Sequence, residues 1–229
     1  MNMDFVGIDK FSLLDYDEMI SIVLFSPTCN FRCPYCHNIN TVVDAVTYIP
    51  FEDIMAYLND RKNVIDAVVI SGGEPTLMSD LKEKIIRIKK LGYKIKLDTN
   101  GSNPKVLKDL LDENLLDYVA MDIKSSFDKY DIVAGQKVNL PLVLESIKLL
   151  KNAEIDYEFR TTLINEIHDF EDIKKIGELI KGSKKYYLQK FINRDDLINK
   201  NLHPVDEMKA NEYKEYLSKF IGKVELRGY

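Results

Sequence analysis

The sequence has little that would suit a secreted, membrane-spanning or nucleic-acid-binding protein. Its 229 residues include three cysteines and no tryptophan. The N-terminus, MNMDFVGIDKFSLLD, lacks the basic start and apolar stretch of a signal peptide, and no later apolar run approaches a membrane span. The formal net charge of −5 gives no global attraction for nucleic acids or acidic membranes. We therefore expect a cytoplasmic protein with no membrane or nucleic-acid partner.

What is present is the composition of an ordinary globular protein, with 45% hydrophobic and 30% charged residues. A chain of this length can bury a substantial core as one unit, and we find no linker long enough to divide it. We expect a single domain over residues 1–229, with core strands and helices at about 19–193 and a C-terminal extension at about 194–229.

Apolar, β-branched runs alternate with amphipathic helical patterns along the chain. The predicted strands are 19–26, 64–70, 93–99, 117–124, 156–164 and 184–192. The predicted helices begin near residues 50, 81, 104, 141, 170 and 208. Strict alternation favours a parallel sheet and leaves both a partial barrel and a doubly wound sheet open. We prefer a barrel, because polar motifs follow several strands and barrel strand ends converge on one mouth.

All three cysteines lie within eight residues, in the segment CNFRCPYCHN at 29–38. Three thiols packed this tightly do not suit a disulfide framework and point to a chemical use. One short loop can place Cys29, Cys33 and Cys36 around a compact metal cluster. In a four-iron cluster normally held by four cysteines, three ligands leave one iron free to bind a substrate or cofactor.

A structural zinc site is the alternative interpretation of the same segment. Cys29, Cys33, Cys36 and His37 could form a closed tetrahedral site of the Cys₃His type. The adjacency of Cys36 and His37 counts against it, as does the usual split of structural zinc ligands into two separated pairs.

The cysteine spacing, CxxxCxxC with Tyr35 before the last cysteine, resembles the signature of the radical S-adenosylmethionine superfamily. SGGEPTL at 71–77 is similar to its glycine-rich segment, which receives the amino group of the cofactor's methionine moiety. The resemblance implies an α/β fold, specifically a partial (β/α)₆ open TIM-like barrel. It also implies a [4Fe-4S] cluster on three cysteines and S-adenosylmethionine at the open iron, where reductive cleavage gives a 5′-deoxyadenosyl radical.

Other segments are similar to those of activating enzymes for glycyl radical enzymes: CHN at 36–38, DTNG at 98–101 and DIK at 122–124. The likeness is strongest to activating proteins of anaerobic ribonucleoside-triphosphate reductase, through FSLLDYDE, FSPTCNFRCPYCHN, VVISGGEPTL, EFRTTLI and LQKFINRD. It implies that Asp122 and Lys124 lie beside the cofactor's carboxylate and ribose. As in some relatives, Asp98, Thr99 and Asp122 would share a monovalent cation.

The expected cofactor-binding set is therefore Tyr35, Cys36, His37, Gly72, Gly73, Glu74, Asp98, Thr99, Asp122, Lys124 and Arg160. Arg160 is included in this set because an arginine inside an apolar strand needs a partner, either a cofactor carboxylate or an internal acid. Plainer roles remain open for several members, since glycines occupy ordinary turns and aspartates cap them. We assign no catalytic residue beyond the cluster and cofactor, because hydrogen abstraction requires no general base.

The resemblance implies a protein substrate, a loop of a glycyl radical enzyme that enters the barrel mouth. With no cysteine left for a second cluster, the electron would come from an external donor, ferredoxin or flavodoxin. On the sixth strand, pyruvate formate-lyase activators carry a histidine near the cofactor, whereas this chain has QKFIN. An activase of another glycyl radical enzyme, a radical enzyme for a small nucleotide-like substrate and a zinc-binding adaptor are the alternatives. His168 and His203 are expected on the surface.

Overall fold

A single sheet organises the molecule, for which a computed structural model describes residues 4–39, 47–194 and 197–229. In these ranges the strands follow chain order across the sheet: β1 Gly7–Ser12, β2 Ser21–Ser26, β3 Ala67–Gly72, β4 Lys94–Thr99, β5 Tyr118–Asp122, β6 Asp156–Leu163, β7 Lys185–Lys190 and β8 Lys223–Arg227. β1 pairs antiparallel with β2, and every later pair is parallel.

Helices connect the parallel strands. They are α1 Phe51–Asp60, α2 Leu81–Lys90, α3 Pro104–Asp112, α4 Tyr130–Ala134, α5 Leu140–Lys151, α6 Phe170–Leu179 and α7 Glu207–Leu217. Pro104 occupies the first turn of α3, where its missing N–H leaves no bond unmade. Asp169 and Asp206 cap α6 and α7 by accepting from backbone N–H groups in their first turns. No helix in the described ranges is long and apolar enough to cross a membrane.

The predicted fold class is confirmed, and the strand order resolves the alternative left open by the sequence. A doubly wound sheet reverses its strand order at a switch point, whereas this sheet runs from β1 to β8 without reversal. The edges are β1 and β8, which do not pair with each other in the described part of the chain. The sheet is therefore an open barrel.

Three elements lie outside the predicted pattern. β1 was not predicted, because half of its residues are exposed and its apolar residues do not alternate. β8 lies in the expected C-terminal extension and was not among the predicted strands, yet it extends the sheet by pairing with β7. α4 is five residues long and carries no periodic signal of its own. The six predicted strands correspond to β2 through β7.

The two faces of the sheet have different chemistry. Along β4, Ile95 and Leu97 belong to the main hydrophobic core beneath the helices, whereas Lys96 and Asp98 occupy the other face. A smaller apolar cluster lines that inner face, where Tyr16 from the loop after β1 packs with Tyr118. Charged side chains are thereby placed inside the barrel near the strand ends. The division into core and C-terminal extension remains a prediction, and residues 195–196 of the extension lie outside the described residues.

Candidate functional site

A cavity of about 170 Å³ opens at the carboxyl ends of the central strands. It is lined by all three cysteines and by ten of the eleven residues expected to bind the cofactor. These ten are Tyr35, Cys36, His37, Gly72, Gly73, Asp98, Thr99, Asp122, Lys124 and Arg160. Residues from five separate chain segments therefore meet where parallel strands of a barrel end.

The cysteine loop presents three free thiols to this cavity. Burial raises the pKa of Cys29 to about 11 and also raises the pKa of Cys33. Buried thiols become thiolates when a metal supplies the compensating charge, so the donor set suits an iron–sulfur cluster. Among the described residues, no three Cys, His, Asp or Glu side chains already stand in a metal-coordinating arrangement. The thiols share a cavity wall, and cluster binding would complete their convergence.

Two glycines allow other segments to pack closely against the cysteine loop. A Cβ on Gly73 would lie 1.7 Å from the carbonyl oxygen of Thr28, and a Cβ on Gly135 would lie 1.9 Å from that of Arg32. The Arg32 N–H also donates to Ala134, over 2.7 Å between nitrogen and oxygen. Side chains at these glycines would collide with the loop backbone. In the glycine-rich segment, the missing side chain of Gly73 thus makes room for Thr28, the residue just before the first cysteine.

His37 is anchored to the segment that follows β7. Its Nε2 lies 2.8 Å from the Ile192 carbonyl oxygen, and its ring stacks on Phe191 with centroids 6.0 Å apart. The next residue, Asn38, donates its side-chain amide to the Gly72 carbonyl over 3.1 Å. The Nε2 atom of His37 is therefore already engaged by a backbone carbonyl, which counts against a zinc ligand at that atom.

An ion-pair chain crosses the floor of the cavity. Arg160 lies between two acids, with Nε bonded to Asp122 Oδ1 and Nη1 3.1 Å from Asp98 Oδ2. Lys124 Nζ lies 2.7 Å from the second oxygen of Asp122. Burial would raise the pKa of Asp122, but attraction from Arg160 and Lys124 outweighs it and holds that pKa well below its usual range. The partner expected for Arg160 is thus a pair of internal acids.

One carboxylate oxygen in this series of ion pairs has no hydrogen-bond donor in the described part of the chain. Asp98 Oδ1 is buried and accepts no hydrogen bond from the described residues, while Oδ2 accepts from Ser71 and Arg160. The ammonium group of Lys96 lies 3.9 Å from Oδ1, so this oxygen has a cation nearby but still lacks a hydrogen-bond donor among those residues. Asp98 and Thr99 both line the cavity, so the arrangement suits an ammonium group or the expected monovalent cation, which remains a prediction.

Glu74 does not line the cavity, unlike the other expected cofactor residues. Its carboxylate is fully buried and accepts from the backbone and hydroxyl of Thr76, the hydroxyl of Thr99 and the backbone N–H of Asn100. These bonds tie the glycine-rich segment to the DTNG turn. Glu74 therefore positions Thr99 and Asn100, because its oxygens are already occupied by protein donors.

The expectation that His168 lies on the surface is wrong. Its side chain is fully buried, because the loop after β6 folds the ring back beneath Lys124. His203 is exposed as expected, with 69% of its side-chain area accessible and its Nδ1 bonded to Glu166. The prediction that both histidines are exposed used only their neighbours in the sequence. Those neighbours carry no information about a distant backbone partner such as Lys124.

Sequence reasoning missed several residues of the cavity wall. Added by the structure are Phe31, Asn38, Ser71, Asn100 and Thr162. All five lie inside segments already recognised as motifs, so including the other polar residues of those segments would have found all but Phe31. Asn100 shows their use, since its side-chain amide donates to Asn30 over 2.9 Å and links the DTNG turn to the cysteine loop.

Solved structures share this fold. SuiB of Streptococcus suis bound to S-adenosylmethionine superposes with a TM-score of 0.71 at 15% identity, covering 88% of this chain and 48% of that one. A domain of pyruvate-formate lyase-activating enzyme from Bacteroides vulgatus gives a TM-score of 0.58 at 18% identity, covering 71% of this chain and 99% of that one. The chain spans about half the length of SuiB. At these identities the likeness concerns the fold alone.

Sequence comparison adds nearer relatives. A candidate glycyl-radical enzyme activating enzyme of Methanocaldococcus jannaschii is 36% identical, covering 96% of this chain and 94% of that protein. A candidate GTP 3′,8-cyclase of Saccharolobus islandicus is 29% identical, covering 96% of this chain and 70% of that protein. The model of the radical SAM superfamily matches residues 23–180. The chain belongs to the radical SAM superfamily of enzymes.

Proposed function

We propose that this enzyme is an activase that generates a glycyl radical on a partner protein, and that the partner is anaerobic ribonucleoside-triphosphate reductase. One observation carries the proposal: the cysteines and the DIK residues Asp122 and Lys124 line a single cavity at the strand ends. The candidate activating enzyme of Methanocaldococcus jannaschii supports the activase class, since the alignment covers nearly the whole of both chains.

The family implies a [4Fe-4S] cluster and S-adenosylmethionine as cofactors. Cys29, Cys33 and Cys36 would hold the cluster, and Asp122 and Lys124 would bind polar groups of the S-adenosylmethionine. When bound, the two cofactors supply one-electron cleavage of a carbon–sulfur bond and a carbon radical that abstracts hydrogen. The protein's contribution is to orient these groups and exclude water.

The side chains around the cavity are built for orientation rather than proton transfer. Asp122 is held ionised by two cations, so it accepts hydrogen bonds and does not donate a proton at neutral pH. Arg160 is paired with both Asp98 and Asp122, so its charge is committed to the protein. These fixed charges present a rigid polar surface to a zwitterionic cofactor.

The proposed reaction moves one hydrogen atom. A C–H bond at the α-carbon of a partner glycine breaks, and the hydrogen joins the 5′-carbon to give 5′-deoxyadenosine. The unpaired electron stays on the glycine α-carbon. The reducing electron comes from ferredoxin or flavodoxin, because the only three cysteines of the sequence are committed to one cluster.

The open sheet supports a protein loop as the substrate. Its edges, β1 and β8, are separate strands that are not paired together in the described ranges. An extended loop can therefore reach the cavity from the side, whereas a closed eight-stranded barrel fills its interior with side chains. The reductase is preferred over a pyruvate formate-lyase type of partner because FSPTCNFRCPYCHN, EFRTTLI and QKFIN resemble the reductase activators.

A small nucleotide-like substrate is the second candidate. The likeness to a candidate GTP 3′,8-cyclase across 96% of this chain favours it. DIK and CHN favour the activase instead, because both resemble segments of glycyl radical activators. Consumption of GTP by the reduced enzyme without any partner protein would select this candidate.

The test is electron paramagnetic resonance of a mixture of the reduced enzyme, S-adenosylmethionine and an anaerobic ribonucleotide reductase. We expect a glycine-centred doublet on the reductase and none when pyruvate formate-lyase replaces it. Cys33→Ala serves as the control, because no spare cysteine can restore the cluster. Turnover of S-adenosylmethionine without a doublet on the reductase would contradict the proposed partner, and a doublet on the lyase would reassign it.

A further inference from the structure

His168 is a fully buried histidine that does not line the cofactor cavity. It belongs to the loop between β6 and α6. Burying an imidazole is costly unless its nitrogens are hydrogen-bonded, and here both have a partner. Both partners are backbone groups, one on its own loop and one on the loop after β5.

The two backbone partners define which nitrogen carries the proton. The Ile164 N–H donates to Nδ1 over 3.0 Å, and a backbone N–H can only donate. Nδ1 therefore bears a lone pair, so the proton of the neutral ring is on Nε2. Nε2 lies 3.0 Å from the Lys124 carbonyl oxygen and donates to it.

Lys124 needs such an anchor because it lies beyond the end of the sheet. The strand β5 ends at Asp122. The next residue, Ile123, donates its N–H to the Arg160 carbonyl and accepts from the Thr161 hydroxyl. The Lys124 side chain extends to Asp122 in the cavity floor, whereas its carbonyl points to His168. One residue thus joins the cavity to a buried histidine.

Asp172 at the start of α6 holds the next two residues of the same loop. Its carboxylate accepts from the Ser125 hydroxyl and from the Ser126 N–H, each over 3.0 Å. Residues 124–126 are therefore fastened in succession to the β6–α6 region. Side-chain contacts from His168 and Asp172 replace the strand pairing that ended at β5.

We propose that His168 is a positioning residue that holds Lys124 in place for cofactor binding, with Asp172 as its support. The inference rests on the proposed role of Lys124 and is independent of which partner protein is activated. His168 does not line the cavity, so its effect on binding passes through its backbone partners, of which Lys124 is the one that lines the cavity.

The electrostatic surroundings keep the ring in the required state. Burial lowers the pKa of His168, although Asp172, whose Oδ2 lies 4.0 Å from Nε2, acts in the opposite direction. Two other groups lie near His168. The positive charge of Lys129 also lowers the pKa of His168, and the Tyr213 hydroxyl on α7 donates to the His168 carbonyl. A neutral ring with a protonated Nε2 is what the Lys124 carbonyl requires.

Two substitutions separate positioning from general stability. In His168→Asn the shorter amide can still pair with the Ile164 N–H but does not reach Lys124. In His168→Gln the amide nitrogen reaches the Lys124 carbonyl but leaves the Ile164 N–H unpaired. Each variant leaves one buried backbone group without a partner, so both should lower Tm by similar amounts.

The experiment measures equilibrium binding of S-adenosylmethionine to the cluster-loaded variants, with iron content and Tm determined in parallel. His203→Asn is the control, since His203 is exposed and bonded to Glu166. Lys124→Met is the reference variant for loss of the Lys124 ammonium group. In the cluster-free wild type, nitrogen-15 NMR of the imidazole reports the tautomer without any cofactor.

We expect His168→Asn to weaken binding by about tenfold at unchanged iron content, as for other residues that orient a binding group. His168→Gln should bind within about threefold of wild type, and NMR should show a proton on Nε2 only. Equal binding by the Asn and Gln variants, or a proton on Nδ1, would overturn the inference while leaving Lys124 in its role. Wild-type binding by Lys124→Met would instead overturn the proposed site, and this inference with it.

Discussion

At the scale of single residues, the site depends on Arg160. Its guanidinium joins two acids that approach from different strands, Asp98 at the end of β4 and Asp122 at the end of β5. Their charges are mostly withdrawn from water, so each acid depends on the cation for compensation. Strand pairing places Asp122 directly in register with Arg160, whereas Asp98 pairs with Ala120 and is reached by the Arg160 side chain.

Arg160→Met should destabilise the protein, because it leaves both acids without their shared cation. Removing one partner of a buried ion pair costs about 3–5 kcal/mol. Urea unfolding of the cluster-free protein measures the loss, with Arg160→Lys as a smaller change that keeps the charge. An Arg160→Met protein as stable as wild type would show that the ion pairs do not hold the strand ends together.

The depressed pKa of Asp122 predicts a pH dependence of stability. An acid whose folded-state pKa lies below its unfolded value, about 3.9, stabilises the fold above that pH. This contribution is lost as the pH falls through the folded-state pKa. The gap in unfolding free energy between wild type and Asp122→Asn should therefore be full near pH 6 and shrink steadily below about pH 4.

Urea unfolding of the two proteins between about pH 2 and pH 6 measures this gap. A gap of constant size over the whole range would mean that Asp122 has the same pKa in the folded and unfolded chain, contrary to its pairing with Arg160 and Lys124.

At the scale of elements, the cysteine loop depends on the turn at the end of α4. Gly135 has φ of +68°, and its missing Cβ makes room for the Arg32 carbonyl. Gly135→Ala should displace the loop and lower the iron bound per chain, which chemical iron analysis after reconstitution measures. Gly182→Ala is the matched control, since Gly182 has φ of +77° and a Cβ there would have no neighbouring atom within 4 Å.

The control separates backbone strain from collision. A left-handed alanine costs about 1–2 kcal/mol at either position, so both variants should lose stability. Only Gly135→Ala should also lose iron. Equal iron content in the two variants would mean that α4 does not support the cluster loop.

Much of the element pattern could be predicted, because periodicity and strand-end motifs are local properties of the chain. The alternation identified β2 through β7, and the cysteine, glycine-rich and DIK segments lie at the strand ends as expected. β1 could not be predicted, because its exposed edge has no apolar repeat. The positions of Glu74 and His168 could not be predicted for another reason. Each side chain is held by hydrogen bonds to backbone groups far away in the sequence, and no local pattern encodes such bonds.

At the scale of the whole molecule, the loop after β1 reaches across the opening of the barrel. The Tyr187 hydroxyl on β7 donates to Asp17 over 3.3 Å, and Arg227 on β8 stacks on the Tyr187 ring, with its guanidinium carbon 3.8 Å from the centroid. Tyr16 fills the interior beside Tyr118. These contacts pack the interior away from the cavity, so a substrate loop that enters between β1 and β8 would do so near the end where the cysteines lie.

The central claim is that the hydrogen abstracted by this enzyme comes from a backbone glycine of a partner protein. It is tested most directly with a reductase labelled by α-deuterated glycine, followed by mass analysis of the 5′-deoxyadenosine formed. The account predicts 5′-deoxyadenosine with one added deuterium, together with a glycyl radical whose doublet collapses to a singlet. Unlabelled 5′-deoxyadenosine, formed while a small nucleotide is consumed, would contradict the claim.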